Sequence, residues 1–88
     1  MKVNRNYAMR IFEQKLRLEY FHELIKREAT GDCDTFAKKL NLKKTQLYKL
    51  INEVKDYGAD IKYDRLRETY YYANDFVIKI DFSFEIKK

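Results

Sequence analysis

The chain has 88 residues, of which 19 are lysine or arginine and 14 are aspartate or glutamate, so its formal net charge is +5. A chain of this length forms one domain with a modest core, and a hydrophobic content of 45% is too high for a disordered protein. The single cysteine and single histidine exclude an intramolecular disulfide and a cysteine-based zinc site. No apolar run is long enough to span a membrane, and the N-terminus lacks a signal-peptide pattern. We therefore expect a cytoplasmic protein without a cofactor.

The first predicted helix runs from about Ile11 to Glu28. Apolar residues recur there at three- and four-residue spacing, which predicts one buried helix face. These residues are Phe12, Leu16, Tyr20, Phe21, Leu24 and Ile25. Gly31 follows, and glycine is common just beyond a helix because it adopts left-handed backbone at little steric cost. We expect Gly31 to stop this helix.

Two further helices are predicted, separated by a tight turn. Asp34 or Thr35 can cap a short helix that runs to about Leu40. Asn41 and Leu42 form the turn. The third helix runs from about Lys43 to Tyr57, and Gly58 ends it. Its inward residues are expected to be Leu47, Leu50, Ile51 and Val54.

Strand patterns follow the third helix. Ala59–Tyr63 and Thr69–Ala73 are short β-prone runs on either side of the sequence DRLRE, which predicts a hairpin. Phe76–Ile86 alternates strictly between large apolar residues and others, which predicts a strand with six apolar side chains on one face. A monomer seldom leaves such a face bare. It can pack on the first helix, on the same strand of a second copy, or beside another protein's strand; we favour the homodimer.

The predicted fold is α+β, a single domain over residues 1–88. It has a three-helix core over residues 11–58, a hairpin over 59–73 and an extra C-terminal strand over 76–86. The segment Cys33–Asn52 resembles the helix-turn-helix unit of bacterial transcription regulators. The matching residues are Phe36, Ala37, Leu40, Leu42, Leu47 and Leu50. With Gly58 and the hairpin, the region from about Phe21 to Ala73 is similar to the winged N-terminal domains of DeoR-type, WYL-type and biotin-repressor-type regulators.

The resemblance implies a regulator that inserts its third helix into the major groove of double-stranded DNA. The residues that would contact DNA are Lys43, Lys44, Thr45, Gln46, Tyr48, Lys49 and Asn52 on that helix, and Lys62, Arg65 and Arg67 at the hairpin. These residue types suit the task, since lysine pairs with guanine or phosphate, asparagine or glutamine with adenine, and a threonine methyl contacts thymine. A dimer would present two such helices to a palindromic site.

The sequence departs from the family pattern at three positions. Asn41 occupies the turn position where the family usually has glycine, Lys43 replaces the usual serine cap, and Thr45 stands where an arginine is common. Asparagine also tolerates left-handed backbone, so the turn is expected to form. Lysine cannot accept a hydrogen bond as a cap, and its charge opposes the helix dipole.

The main alternative is a protein-interaction module built on the same scaffold, docking through Phe76–Ile86. An enzyme is not indicated, because the sequence has no glycine-rich phosphate loop, no nucleophile beside a base and no metal-ligand spacing. No small-molecule ligand is evident either. Asp32 and Asp34 are interpreted as caps and turn formers, because no base or metal ligand accompanies them.

Overall fold

The computed structural model describes residues 5–77, although not the side chains of residues 5–9 and 11. It contains three helices, α1 (Arg5–Lys26), α2 (Cys33–Lys39) and α3 (Lys44–Asp56), and two strands, β1 (Ile61–Asp64) and β2 (Thr69–Tyr72). The strands pair antiparallel, with Ile61 opposite Tyr72 and Asp64 opposite Thr69. This α+β arrangement confirms the predicted hairpin and is compatible with a helix-turn-helix unit followed by it. Phe76 and Val77 are not in a strand, and the rest of the predicted C-terminal strand lies outside the described residues.

The core lies where the three helices meet the hairpin. Its buried members are Phe21, Leu24, Ile25, Phe36, Ala37, Leu40, Leu47, Ile51, Val54, Ala59 and Ile61. Phe36 is fully buried, and its ring lies 5.4 Å from that of Phe21 and 5.5 Å from that of Tyr70. Because aromatic rings carry large apolar areas, this run of three rings fixes β2 to α1 and α2.

The apolar residues of α1 do not form one buried face, so that prediction is wrong. Phe21, Leu24 and Ile25 are buried, whereas Phe12, Leu16 and Tyr20 are 54%, 61% and 46% exposed. Leu16 and Ile25 are nine residues apart, which is two and a half helical turns, so they lie on opposite sides of α1. The spacing rule found both sets of residues but did not separate the two sides of the helix.

All three helices end in the same backbone motif. A residue with left-handed backbone follows each helix: Glu28 (φ 56°), Asn41 (φ 56°) and Gly58 (φ 110°). The next residue's N–H bonds the carbonyl five residues back, at 2.9 Å from Ala29 to Leu24 after α1 and 2.8 Å from Leu42 to Ala37 after α2. This is the Schellman arrangement. The expected stop at Gly58 is confirmed, whereas the left-handed residue that follows α1 is Glu28 rather than Gly31.

Asp32 caps α2, as its interpretation as a cap or turn former predicted, whereas the expectation that Asp34 or Thr35 caps this helix is wrong. Its Oδ1 accepts a hydrogen bond from the Thr35 N–H at 2.9 Å, and this bond lowers the pKa of the Asp32 carboxyl. Gly31 precedes the cap with φ 73°, and a Cβ there would lie 2.7 Å from Thr35 Cγ2. The predicted boundary failed because three acceptors, Asp32, Asp34 and Thr35, compete for one cap position.

A buried polar contact joins the loop after α1 to β2. Thr30 and Thr69 are 0% and 1% exposed. Thr69 Oγ1 accepts from the Thr30 N–H at 3.2 Å, and Thr30 Oγ1 accepts from the Tyr70 N–H at 2.8 Å. Because buried polar groups are costly without partners, these bonds fix the position of the hairpin relative to α1.

Candidate nucleic-acid interface

The core holds α3 by one side and leaves the other side open. Leu47, Ile51 and Val54 are buried, and Leu50 is partly buried against the same core. With 3.6 residues per turn, Thr45, Lys49 and Asn52 lie on the opposite side, and all three are exposed. This side of α3, defined by Thr45, Lys49 and Asn52, is the outward face.

Gln46, one of the residues predicted to contact DNA, stabilises the start of α3. Lys43 is the N-cap residue, and the Oε1 of Gln46 accepts a hydrogen bond from its backbone N–H at 2.9 Å. This is the return half of a capping box. Gln46 thus stabilises the helix start even though Lys43 supplies no acceptor.

Lys44 and Tyr48 lie on the flank of α3 that faces the first turn of α2. Lys44 Nζ is 2.8 Å from Asp34 Oδ1, and the hydrogen bond with Asp34 raises the pKa of the Lys44 ammonium. A side-chain hydrogen bond with Cys33 raises the pKa of the half-exposed Tyr48. These two residues therefore contact α2, which separates them from the outward face.

Cys33 also meets the hairpin. Burial raises the pKa of Tyr70, and contact with Cys33 adds to this effect. The Tyr70 ring lies 4.8 Å from that of Tyr63, its partner across the hairpin. Tyr70 therefore belongs to β2 and packs at the edge of the core.

The hairpin turn is held by one carboxylate. Asp64 Oδ1 accepts from the Leu66 and Arg67 N–H groups at 2.9 and 3.1 Å, and Oδ2 accepts from Arg67 Nε at 2.8 Å. Arg67 Nη1 also donates to Glu28 Oε2 at 2.6 Å, linking the turn to the end of α1. The bond from the Arg67 side chain lowers the pKa of Asp64. The turn therefore presents exposed Arg65 at its tip, while Arg67 is held by two carboxylates.

The basic residues are unevenly placed. Lys43, Lys44 and Lys49 lie at or near the first half of α3, whereas its second half carries exposed Glu53 and Asp56 beside one lysine, Lys55. The hairpin carries the remaining predicted contacts, Lys62, Arg65 and Arg67; Lys62 Nζ is 3.9 Å from Asp60 Oδ2. Between residues 5 and 77 no ion pair involves Lys43, Lys49 or Arg65.

Sequence reasoning missed the acidic partners of Lys44, Lys62 and Arg67. The Asp34–Lys44 pair joins residues ten apart on different helices, and no sequence pattern signals it. The Asp64–Arg67 contact could have been inferred, since aspartate at the start of a turn commonly accepts from the N–H groups that follow it. The long-range Arg67–Glu28 contact could not.

Comparison of the chain with protein-family models, curated proteins and solved structures found no match in any of the three. Over residues 5–77, no helix is long and apolar enough to cross a membrane. In the same range, no three His, Cys, Asp or Glu side chains are grouped as metal ligands would be. The candidate interface must therefore be judged on its own geometry and charge.

Proposed function

We propose that this chain binds double-stranded DNA sequence-specifically through α3 and regulates transcription as a winged helix-turn-helix protein. The observation that carries the proposal is the outward face of α3, on which Thr45, Lys49 and Asn52 are exposed while Leu47 and Ile51 anchor the other side of the helix. Recognition helices contact base edges mainly with their N-terminal residues. The uneven charge along α3 matches that mode of docking.

Within this proposal, the position of each predicted residue decides whether it contacts base edges or phosphates. Thr45, Lys49 and Asn52 face base edges, and Lys43 and Arg65 contact phosphates. Gln46 stabilises the helix start, while Lys44 and Tyr48 reach DNA along the flank near α2. Lys62 and Arg67 lie at the hairpin, where Arg67 also positions the turn through Asp64.

Selection from a randomised duplex pool tests this division. Asn52→Ala should relax the preference at one base pair, because it removes a bidentate partner of adenine. Lys43→Ala should weaken binding about equally across sequences, because it removes a phosphate contact. Lys26→Ala is the matched control, since Lys26 lies on α1 and lines a cavity with His22 and Tyr72. Equal loss for all three variants would contradict the proposal.

The Asp34–Lys44 pair gives a second test of the same face. Asp34 adds a negative charge beside the proposed DNA surface and engages Lys44 at 2.8 Å. Asp34→Asn should therefore raise duplex affinity several-fold at low salt, since it removes repulsion of phosphate and releases Lys44. Fluorescence anisotropy measures the affinity. An affinity that does not rise would contradict the placement of this flank of α3 beside DNA.

The proposal includes a homodimer through Phe76–Ile86, which would place two α3 helices on a palindromic site. A protein-interaction module remains the second candidate, favoured by the exposed Leu16 and Tyr20 on α1. Salt-dependent binding to random-sequence duplex separates the two, because a module that recognises only protein has no such affinity.

A further inference from the structure

The four residues of the hairpin turn, 65–68, project beyond the paired strands. The last pair of the ladder joins Asp64 at the end of β1 to Thr69 at the start of β2. Thr69 is also the point at which the buried contact with Thr30 holds the hairpin. Neither the ladder nor that contact reaches residues 65–68, so the direction of the turn depends on side chains beyond this pair.

Arg67 makes the bonds that hold the turn. Each of its three guanidinium nitrogens donates to a carboxylate: Nε to Asp64 Oδ2 at 2.8 Å, Nη1 to Glu28 Oε2 at 2.6 Å and Nη2 to Glu28 Oε1 at 3.4 Å. The guanidinium carbon also lies 5.9 Å from the centre of the Tyr71 ring, within the range of a cation–π contact. Arg67 is thus held by its own turn, by β2 and by the end of α1.

Of these contacts, the one with Glu28 sets the turn relative to the helices. Asp64 belongs to the hairpin itself, so its bonds shape the turn without orienting it. Glu28 follows α1, and its two oxygens meet Nη1 and Nη2 of Arg67 as a fork. A forked arginine–carboxylate pair fixes direction as well as distance. The Glu28 carboxylate therefore decides where the turn points.

We infer that Glu28 is a positioning residue for DNA binding, which acts through Arg67 to direct the exposed Arg65 toward a phosphate. The inference rests on the proposed function, because it deepens the phosphate contact assigned there to Arg65. Between residues 5 and 77 no ion pair involves Arg65, whereas all three nitrogens of Arg67 are engaged. The two arginines of the turn thus have different roles: Arg65 contacts DNA, and Arg67 holds the turn.

The sign of the effect distinguishes this role from simple electrostatics. Glu28 adds a negative charge to a protein proposed to bind a polyanion, so loss of the charge alone would raise duplex affinity. Loss of the positioning contact has the opposite effect, because the turn that carries Arg65 must then be ordered when DNA binds. Exposed ion pairs contribute little to the free energy of unfolding, so the fold should tolerate the change.

Fluorescence anisotropy with a random-sequence duplex, repeated across salt concentrations, tests this role in the full-length chain. Glu28→Gln should bind several-fold more weakly than the parent at low salt, with a salt slope shallower by up to about one unit. Glu23→Gln is the matched control, since it removes the same charge from α1, where Glu23 is paired with Arg27 at 3.4 Å. This control should bind at least as tightly as the parent, and circular dichroism should be unchanged in both variants.

Two further variants test whether the effect passes through the turn. Arg65→Ala should weaken binding about as much as Glu28→Gln does, and should cause little further loss in a Glu28→Gln background, because both changes remove the same phosphate contact. Arg67→Lys keeps the charge but loses the fork, so it should also weaken binding. A direct phosphate contact from residue 67 would instead survive that change.

The outcomes separate this inference from the proposed function. A parent chain that binds duplex while Glu28→Gln binds as tightly or more tightly overturns the inference and leaves the proposed function standing. Additive losses from Arg65→Ala and Glu28→Gln, or an Arg67→Lys variant that binds like the parent, also overturn it. A parent chain without salt-dependent affinity for duplex overturns the proposed function and the inference with it.

Discussion

Thr30 and Thr69 are the two buried polar residues in the described part of the chain, and each serves as an acceptor for a backbone N–H or hydroxyl of the other strand or loop. At the scale of single residues, such a pair contributes more to the free energy of unfolding than two small side chains usually do. Removing one hydroxyl leaves a buried donor with no water to bond. The cost is then the desolvation of the remaining group rather than one average hydrogen bond.

Thr69→Val keeps the shape of the side chain and removes its oxygen. We expect the free energy of unfolding to fall by about 1–3 kcal/mol, because the Thr30 N–H loses its acceptor in the core. Thr45→Val is the matched control on the exposed side of α3 and should change stability by less than about 0.5 kcal/mol. Urea unfolding measures both, and equal effects would show that the Thr30–Thr69 contact contributes nothing specific.

His22 gives the protein a pH-dependent element. Its Nδ1 lies 3.0 Å from the Tyr72 hydroxyl, and partial burial lowers the pKa of the imidazole below 6.5, opposed by nearby Glu23. Burial also raises the pKa of Tyr72 to about 12, so the hydroxyl keeps its proton throughout the range in which His22 titrates.

The sign of the His22 effect follows from its lowered pKa. The unfolded chain binds the proton more tightly, so His22 contributes stability above about pH 6.5 and loses it as the pH falls through the folded-state pKa. Between about pH 7.5 and 5, the parent chain should therefore lose more stability than His22→Gln. Denaturant unfolding at several pH values provides the measurement, and parallel curves for the two proteins would contradict the assignment.

At the scale of elements, the ends of the helices are set by left-handed residues of different kinds. Gly58 is the only glycine among the three residues that follow helices α1 to α3, while Glu28 and Asn41 adopt the same backbone with side chains attached. Non-glycine residues in this region carry some strain. In Glu28 the ion pair with Arg67, at 2.6 Å, accompanies that conformation and connects the helix end to the hairpin.

Gly31 and Gly58 should respond differently to alanine. Both have left-handed backbone, but a Cβ at Gly31 would lie 2.7 Å from Thr35 Cγ2, whereas a Cβ at Gly58 meets nothing within 4 Å. We expect Gly58→Ala to cost about 1 kcal/mol, from backbone strain alone, and Gly31→Ala to cost up to about 3 kcal/mol, because strain and collision add. Thermal unfolding compares them. A Gly58→Ala variant less stable than Gly31→Ala would refute this ordering.

The elements that sequence predicted best are those with an unambiguous local signal. The third helix combines an inward row, Leu47, Ile51 and Val54, with a glycine stop, and the hairpin has a turn sequence between β-prone runs. In α1, by contrast, the spacing rule could not decide which apolar residues face the body, because the body is assembled from α2 and β2. Contacts such as Asp34–Lys44 and Arg67–Glu28 depend on tertiary placement, so the local sequence carries no signal for them.

At the scale of the whole molecule, residues 5–77 present two surfaces of different character on different elements. The outward face of α3 and the tip of the hairpin are polar and carry the exposed cations Lys49 and Arg65, whereas Leu16 and Tyr20 make one side of α1 apolar. A surface that is basic fits a polyanion, and one that is apolar fits another protein surface.

The account depends most on the outward face of α3, and titration of a random-sequence duplex against salt tests it most directly. For the parent chain, the logarithm of the binding constant should fall linearly with the logarithm of salt concentration between about 50 and 200 mM, with a slope of roughly −0.9 for each phosphate contacted. Lys49→Glu should bind more weakly at low salt with a slope shallower by about one unit, while Lys26→Glu, with the same charge change on α1, should keep the parent slope. Unchanged affinity and slope in Lys49→Glu would contradict the assignment of α3 to DNA.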